Sequence, residues 1–448
     1  MSNNQYQQNL DWVWGCFCVS VLILPLFPAV AAVGLVVVLI RVWQCHHTQI
    51  INNYLNWGLA ILSGWLMVNS ALADQPKEAW LGLANLLPFF ALFAALSVLI
   101  SQPKQLRQLS WLLVIPSLPI VILGLGQLFA AWDTPPLLES ILGWQLVPQG
   151  EPVGRMSSVF IYTNFLAIYL AISFSLTLGL WLENWQVWRQ KLDQKRSWCL
   201  IVLSVISIAD ITGLVLTSSR NAWGLAFLSC MAYAVYVGWR WLVWGVTAAA
   251  TAILWASFAP DLGGEQLRTI IPAFFWARLS DQMYPDRPVA TLRITQWEFC
   301  WNLIKDRPLI GWGLRNFTPL YETKMNVWFG HPHNLLLMLG AETGILATLL
   351  LMGIVGWIIA KAVLLLDNWS NSRAENCDYP SGMLRDRDQL ILFSYVIAFT
   401  LYILFNLFDV TIFELRVNTL GWILLSAING IAWKQTQRES AIKRREQL

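Results

Sequence analysis

The chain has 448 residues, 57% of them apolar and only 12% charged, with a net charge of +3. Soluble domains carry about 25% charged residues, so this composition excludes a water-soluble globule, and so small a net charge gives no basis for a nucleic-acid partner. Seven cysteines lie mostly in or beside apolar segments without a CxxC pair, which argues against both a disulfide framework and a zinc site.

The first eleven residues, MSNNQYQQNLD, contain no Lys or Arg, so the first apolar stretch reads as a retained span and not as a cleaved signal. Apolar runs follow near 12–24, 27–41, 55–72, 79–100, 109–131, 160–181, 198–217, 221–238, 240–258, 334–365, 389–408 and 414–433. Runs of about 20 residues cross a hydrocarbon core as helices. The predicted fold class is therefore all-α: a polytopic transmembrane bundle of about 12 spans. Pro25 and Pro28 interrupt the first two runs, which form either one kinked span or a tight pair. Short loops with Lys104 and Arg107, with Arg189 and Arg196, and with Arg240 alternate with a loop, 132–159, that holds Asp133, Glu139 and Glu151 against Arg155. This bias puts both termini in the cytoplasm if the first pair is real. The chain then divides into membrane helices over 1–258 (about nine spans), a long extracytoplasmic loop over 259–333, and membrane helices with a basic tail over 334–448. Within the loop, TLRITQWEFCWNLI (291–304) reads as an amphipathic helix, ended by Lys305-Asp306-Arg307-Pro308, with Gly311 and Gly313 permitting a sharp turn.

Four features with chemical potential fall on the extracytoplasmic side. Arg155 precedes Asn164, early in a span. Thr217-Ser218-Ser219-Arg220-Asn221 is the only break between two apolar helices. Arg293 lies in the loop helix. His331-Pro332-His333-Asn334 opens a long helix that continues to Glu342-Thr343-Gly344. Arg220 in so tight a hairpin is either a snorkelling interfacial residue or a bidentate ligand for phosphate or carboxylate. Arg155 and Arg293 pose the same choice. His331 and His333 are either caps or bases: an imidazole titrates near neutrality, and a helix N-terminus would keep it unprotonated. Glu342, nine residues beyond His333, lies about half a turn round the helix and is expected to meet another element. His46 and His47 read as surface residues. Asp386-Arg387-Asp388 forms a D-x-D, but in a cytoplasmic loop away from the other features.

These pieces resemble the O-antigen ligase and polymerase superfamily of bacterial membrane proteins. TSSRNAWG (217–224) is similar to its Thr-x-Ser-Arg-Gly turn, with Asn221 in place of the glycine. R-x-x-x-W (293–297) with DRPLIGWGLRNF (306–317, containing Arg315) resembles its loop signature. HPHNLLLMLGAETG (331–344) resembles its His-Asn…Glu-x-Gly segment. Arg155 through Asn164 resembles an Arg…Asn-x-x-x-x-Tyr stretch, with Thr163 where proline is common. FDVTIFELR (408–416) has the same flavour. The resemblance covers roughly 150–430.

That resemblance implies a GT-C-like membrane glycosyltransferase in the bacterial inner membrane. It would act at the periplasmic face, without metal or cofactor. The donor would be a polyprenyl-diphosphate-linked glycan, and the acceptor a glycolipid or other hydroxyl. His333 would be the base, with His331 the second choice. Arg220 and Arg293 would bind the diphosphate, supported by Arg155, Asn164, Asn334, Arg315 and Glu342. A polymerase extending the glycan on its carrier would use the same groups. Inorganic-carbon transport, a label given to some relatives, would instead favour ionisable residues spread through the spans; only Asp210, and Glu342 if intramembrane, fit that pattern.

Overall fold

The computed structural model describes residues 3–191, 194–280, 288–374 and 387–446, and the regular elements among them are all helical. α1 (Asn3–Ile23) and α2 (Pro28–Ile51) fold back on each other, because Pro25 and Pro28 cannot continue a helical ladder and Pro28 suits a first turn. The first two apolar runs are thus two helices. α3 (Tyr54–Ala71) follows, capped by the Asn53 side chain, which accepts from the Leu55 N–H at 3.1 Å. α4 (Pro76–Gly82) and α5 (Leu87–Leu99) share one crossing, and α6 (Pro103–Val114) and α7 (Ser117–Phe129) share the next, broken at Pro116. After a short α8 (Pro136–Leu142) come α9 (Thr163–Lys191), α10 (Gln194–Leu216), α11 (Arg220–Val237) and α12 (Arg240–Phe258). The long loop contains α13 (Gly264–Arg268), α14 (Ala273–Leu279), α15 (Arg293–Asp306) and α16 (Phe317–Met325). The chain ends with α17 (Leu335–Thr343), α18 (Ile345–Ala374), α19 (Arg387–Asn406) and α20 (Leu415–Glu446).

Among the described residues nine helical segments are long and apolar enough to cross a membrane, and the protein is a multi-pass membrane protein. α1, α3 and α11 occupy the other three apolar runs but are shorter or less hydropathic, so nine of the expected spans, about twelve, have the length and hydropathy of a membrane crossing. α9 and α20 form the centre, with 83% and 89% of their apolar windows covered, whereas α12 and α18 lie at the rim.

The segments expected outside meet at one end of this bundle. Arg416, buried and stacked 4.2 Å from the Phe160 ring, donates to the carbonyls of Val159 at 2.9 Å and Pro25 at 3.2 Å. Trp144 reaches the Leu26 carbonyl at 2.6 Å, and the Asp74 N–H reaches the Trp312 carbonyl. The expected single helix from 334 onward is instead two. Gly344, at φ +86°, separates α17 from α18 and leaves room for the 308–313 backbone. There the Ile345 N–H donates to Pro308, while the Trp312 and Gly313 N–H groups donate to Ala341 and Glu342 at 2.9 and 2.8 Å. The loop thereby completes the hydrogen bonding that the helix break leaves open.

At the opposite end Arg107 and Arg387 both donate to Glu183 Oε1 at 2.6 Å, and Arg107 also holds Asp388 at 2.6 Å. Asp386, the first member of the D-x-D, lies outside the described residues; Asp388 is occupied in this network, which ties α6, α9 and α19. Glu183 is buried between two guanidiniums. Replacing it with Ala removes the carboxylate that both guanidiniums share and leaves Arg107 only Asp388, which is expected to cost roughly 3 kcal/mol, read as a lower thermal unfolding midpoint in detergent than that of the wild type.

Candidate active site

Two arginines are placed by the starts of two helices. α10 ends at Leu216, Ser218 takes φ +50°, and the reversal makes Arg220 the first residue of α11. In the long loop a single turn at Val289–Thr291 and an extended Leu292 make Arg293 the first residue of α15. Helix N-termini present unbonded N–H groups and the positive end of the dipole, so each arginine sits beside a second attraction for an anion. Arg155 comes from the 143–162 segment. Its Nε donates to the Thr217 carbonyl at 2.8 Å, and its Nη2 donates to Asn164 Oδ1 at 3.2 Å.

These groups surround one cavity of about 510 Å³, lined by Arg155, Asn164, Arg220, Arg293, His333 and Asp409 among others. A chain of polar contacts forms its wall. Asn164 Nδ2 donates to Asp409 Oδ2, and Asp409 Oδ1 accepts from the Val410 N–H at 2.8 Å. His331 Nε2 faces Asp409 Oδ1 at 3.6 Å, too long for a hydrogen bond. His331 Nδ1 accepts the His333 N–H at 3.2 Å, which assigns its ring proton to Nε2, towards Asp409. His333 Nδ1 lies 2.9 Å from Gln296 Oε1, an acceptor, so Nδ1 carries the proton and Nε2 is left as the basic nitrogen. His333 adopts φ +54°, and its ring lies 4.6 Å from that of His331. A non-glycine residue in the left-handed region stores strain that surrounding contacts must hold.

Burial pushes the His333 imidazole down to about 4; Asp409 opposes the shift, and His331 and Arg293 reinforce it. His331 is lowered for the same first reason, burial, against Asp409. Both rings are therefore neutral at pH 7, and His333 presents a lone pair.

His331, His333 and Asp409 bring ligand-type atoms within 4.8 Å of one another. The hydrogen bonding does not suit coordination, because His331 Nε2 carries the proton and would have to exchange tautomers to bind an ion. The arrangement is better matched to handling a proton.

Three residues expected in the site lie elsewhere. Asn334 is the N-cap of α17 and accepts from the Leu337 N–H at 3.0 Å. Arg315 pairs with Glu78 at 3.4 Å and faces a separate cavity on the far side of His331. Glu342 is buried at the end of α17, accepts the Phe317 N–H at 3.1 Å, and fixes the 306–317 loop. Burial raises its carboxyl to about 7, against the Phe317 and Arg315 N–H groups. Conversely, Asp409, Gln296 and Tyr162 belong to the cavity wall and its support. Asp409 carried a signal, an acid in an apolar turn; Gln296 carried none.

Residues 203–352 match the family model described as O-antigen ligase. A multi-pass helical membrane protein with a cationic cavity at one end fits that description, and the chain carries a domain of the O-antigen ligase superfamily. The match holds Arg220, Arg293, His331 and His333, whereas Arg155, Asn164 and Asp409 complete the same cavity from outside it. No curated protein matches the chain.

Because Asn334 acts as a cap, Asn334→Ala is expected to cost about 1 kcal/mol of stability, measured by thermal melting. A loss of glycan transfer at unchanged stability would instead assign it to the chemistry.

Proposed function

We propose that the protein transfers a glycan from a polyprenyl-diphosphate carrier to an acceptor hydroxyl at the periplasmic face of the inner membrane. The observation that carries this reading is the shared cavity of Arg155, Arg220, Arg293 and His333. The acceptor oxygen attacks the anomeric carbon, its proton passes to His333 Nε2, and the sugar–phosphate C–O bond breaks with its electron pair leaving on the diphosphate. Arg220 and Arg293, with the two helix N-termini, bind that diphosphate and stabilise the charge it gains. Arg155 is a further cation, held by Asn164. Gln296 is a positioning residue that keeps the proton on His333 Nδ1. His331 supports His333 by accepting its backbone N–H. The helical frame is of the GT-C-like kind that the resemblance implies, and its apolar faces would hold the polyprenyl tail beside the cavity.

The test is a glycolipid profile of a host lacking the gene, complemented with wild type or His333→Ala. Long glycan accumulating on the carrier over a bare acceptor, unrelieved by His333→Ala, is the ligase outcome. A shift to single repeat units indicates a polymerase, and an unchanged profile overturns glycan transfer altogether. In purified protein His333→Ala should lower turnover by 10²–10⁴-fold, on the order of what a general base supplies. His331→Ala should lower it less, because no free ring nitrogen is lost.

The pH dependence has a definite sign. A base whose pKa is lowered stays unprotonated as the pH falls, so kcat/KM should stay flat down to about pH 5 and drop only as the pH approaches 4. A bound diphosphate favours the imidazolium, so the acid limb of kcat should lie at higher pH than that of kcat/KM. An acid limb of kcat/KM near 6.5 would remove His333 from the role.

A further inference from the structure

Beneath the cavity, inside the bundle, α10 carries Asp210 within an apolar, membrane-length helix, and its side chain is fully buried. α10 packs there against α7 and α9. Ser117, the first residue of α7, and Ser173 of α9 bring their hydroxyls against the Asp210 carboxyl, and both serines are buried. Yet neither carboxylate oxygen of Asp210 has a hydrogen-bond partner among the described residues, and neither has Ser173 Oγ. The other nearby hydroxyls spend their protons elsewhere. Ser117 donates to the Val114 carbonyl at 2.9 Å and Tyr169 to the Leu113 carbonyl at 3.2 Å, both at the α6–α7 break. Ser173 alone keeps a proton to turn towards Asp210, so the lining is oxygen around one acid with a single donor.

A bare carboxylate at this depth is costly, and unpaired buried hydroxyls add to the cost. Arg107, Arg155 and Arg196, the basic residues nearest in sequence on these elements, are engaged at the two ends of the bundle with Glu183, Thr217 and Asn184, so none supplies the missing charge. Hard cations take oxygen ligands, and a single carboxylate balances a single positive charge. Helices broken inside a membrane are also where such ions bind, because the break frees backbone oxygens. Pro116 makes such a break between α6 and α7.

We propose that Asp210, Ser173 and Ser117 form a sodium-ion site inside the membrane, where α9 and α10 meet the α6–α7 break. The site shares no residue with the arginine cavity. Asp210 lies seven residues below Thr217, or about 10 Å along the helix, and the bound ion would fix the three helices that carry the cavity floor. The inference is independent of glycan transfer, since its test needs no substrate.

The test is thermal unfolding of the purified full-length protein in detergent, followed by tryptophan fluorescence, in sodium chloride and in choline chloride at equal ionic strength. Sodium should raise the midpoint saturably, by about 5 °C at concentrations far above the dissociation constant. Ser173→Ala should shift the sodium midpoint to at least about tenfold higher concentration, and Asp210→Asn should abolish the response. Identical melting of the wild type in sodium and choline overturns the site and leaves Asp210 a neutral acid. An unaltered sodium response in Asp210→Asn overturns it too. Should Asp210→Asn not fold, Ser173→Ala decides alone: an unchanged sodium midpoint overturns the site.

Discussion

The site depends on one contact, that of Asn164 with Asp409. Asn164 stands in the first turn of α9, the central helix, and Asp409 in the turn between α19 and α20. Both are buried, so their polar atoms must find each other or go unsatisfied. From that contact the wall extends both ways. On one side Asn164 Oδ1 holds Arg155, which holds the end of α10 through Thr217. On the other, Asp409 faces His331, His331 fixes the His333 backbone, and His333 reaches Gln296 on α15. Residues separated by more than two hundred positions are thereby held at one cavity.

The loop that carries α15 needs its own anchor, and the helix break at Gly344 supplies it. A continuous helix through 344 would spend its carbonyls internally. Broken there, α17 offers the Ala341 and Glu342 carbonyls to the 312–313 N–H groups, and the buried Glu342 side chain takes the Phe317 N–H. Arg307, stacked 3.9 Å from the Trp312 ring, braces the same turn. Glu342 therefore acts on the site through backbone, which explains how a family-like motif residue can stand away from the cavity whose loop it fixes.

The helical fold was legible in the sequence because apolar length is a one-dimensional signal. Each of the twelve apolar runs became helix, and the alternation of basic and acidic loops agrees with the two ends of the bundle. The site was legible where a residue was costly in its local setting: Arg220 in the short break between two apolar runs, and a histidine pair in a chain with four histidines. What the sequence hid were partners. Nothing near Gln296 announces that its amide meets His333 37 positions away, and nothing near Arg315 announces that Glu78 draws it to a different cavity. The break at Gly344 was hidden likewise, since the apolar pattern runs through it and only the packing of 308–313 requires it.

The charge balance of the cavity bears on its occupant. Among the described residues that line it are three guanidiniums and Asp409, and that carboxylate is already committed to Asn164, the Val410 N–H and the side of His331. Like charges gathered at a membrane surface repel at low dielectric, and the backbone N–H groups at the starts of α11 and α15 add to the positive field. The proposed diphosphate brings charge of opposite sign and enough oxygens for several bidentate donors. Burial disfavours protonation of His333, and His331 and Arg293 add to that against Asp409. In the proposed reaction, burial would keep the base unprotonated while the arginines meet the leaving group, so that proton transfer and binding divide one cavity between them.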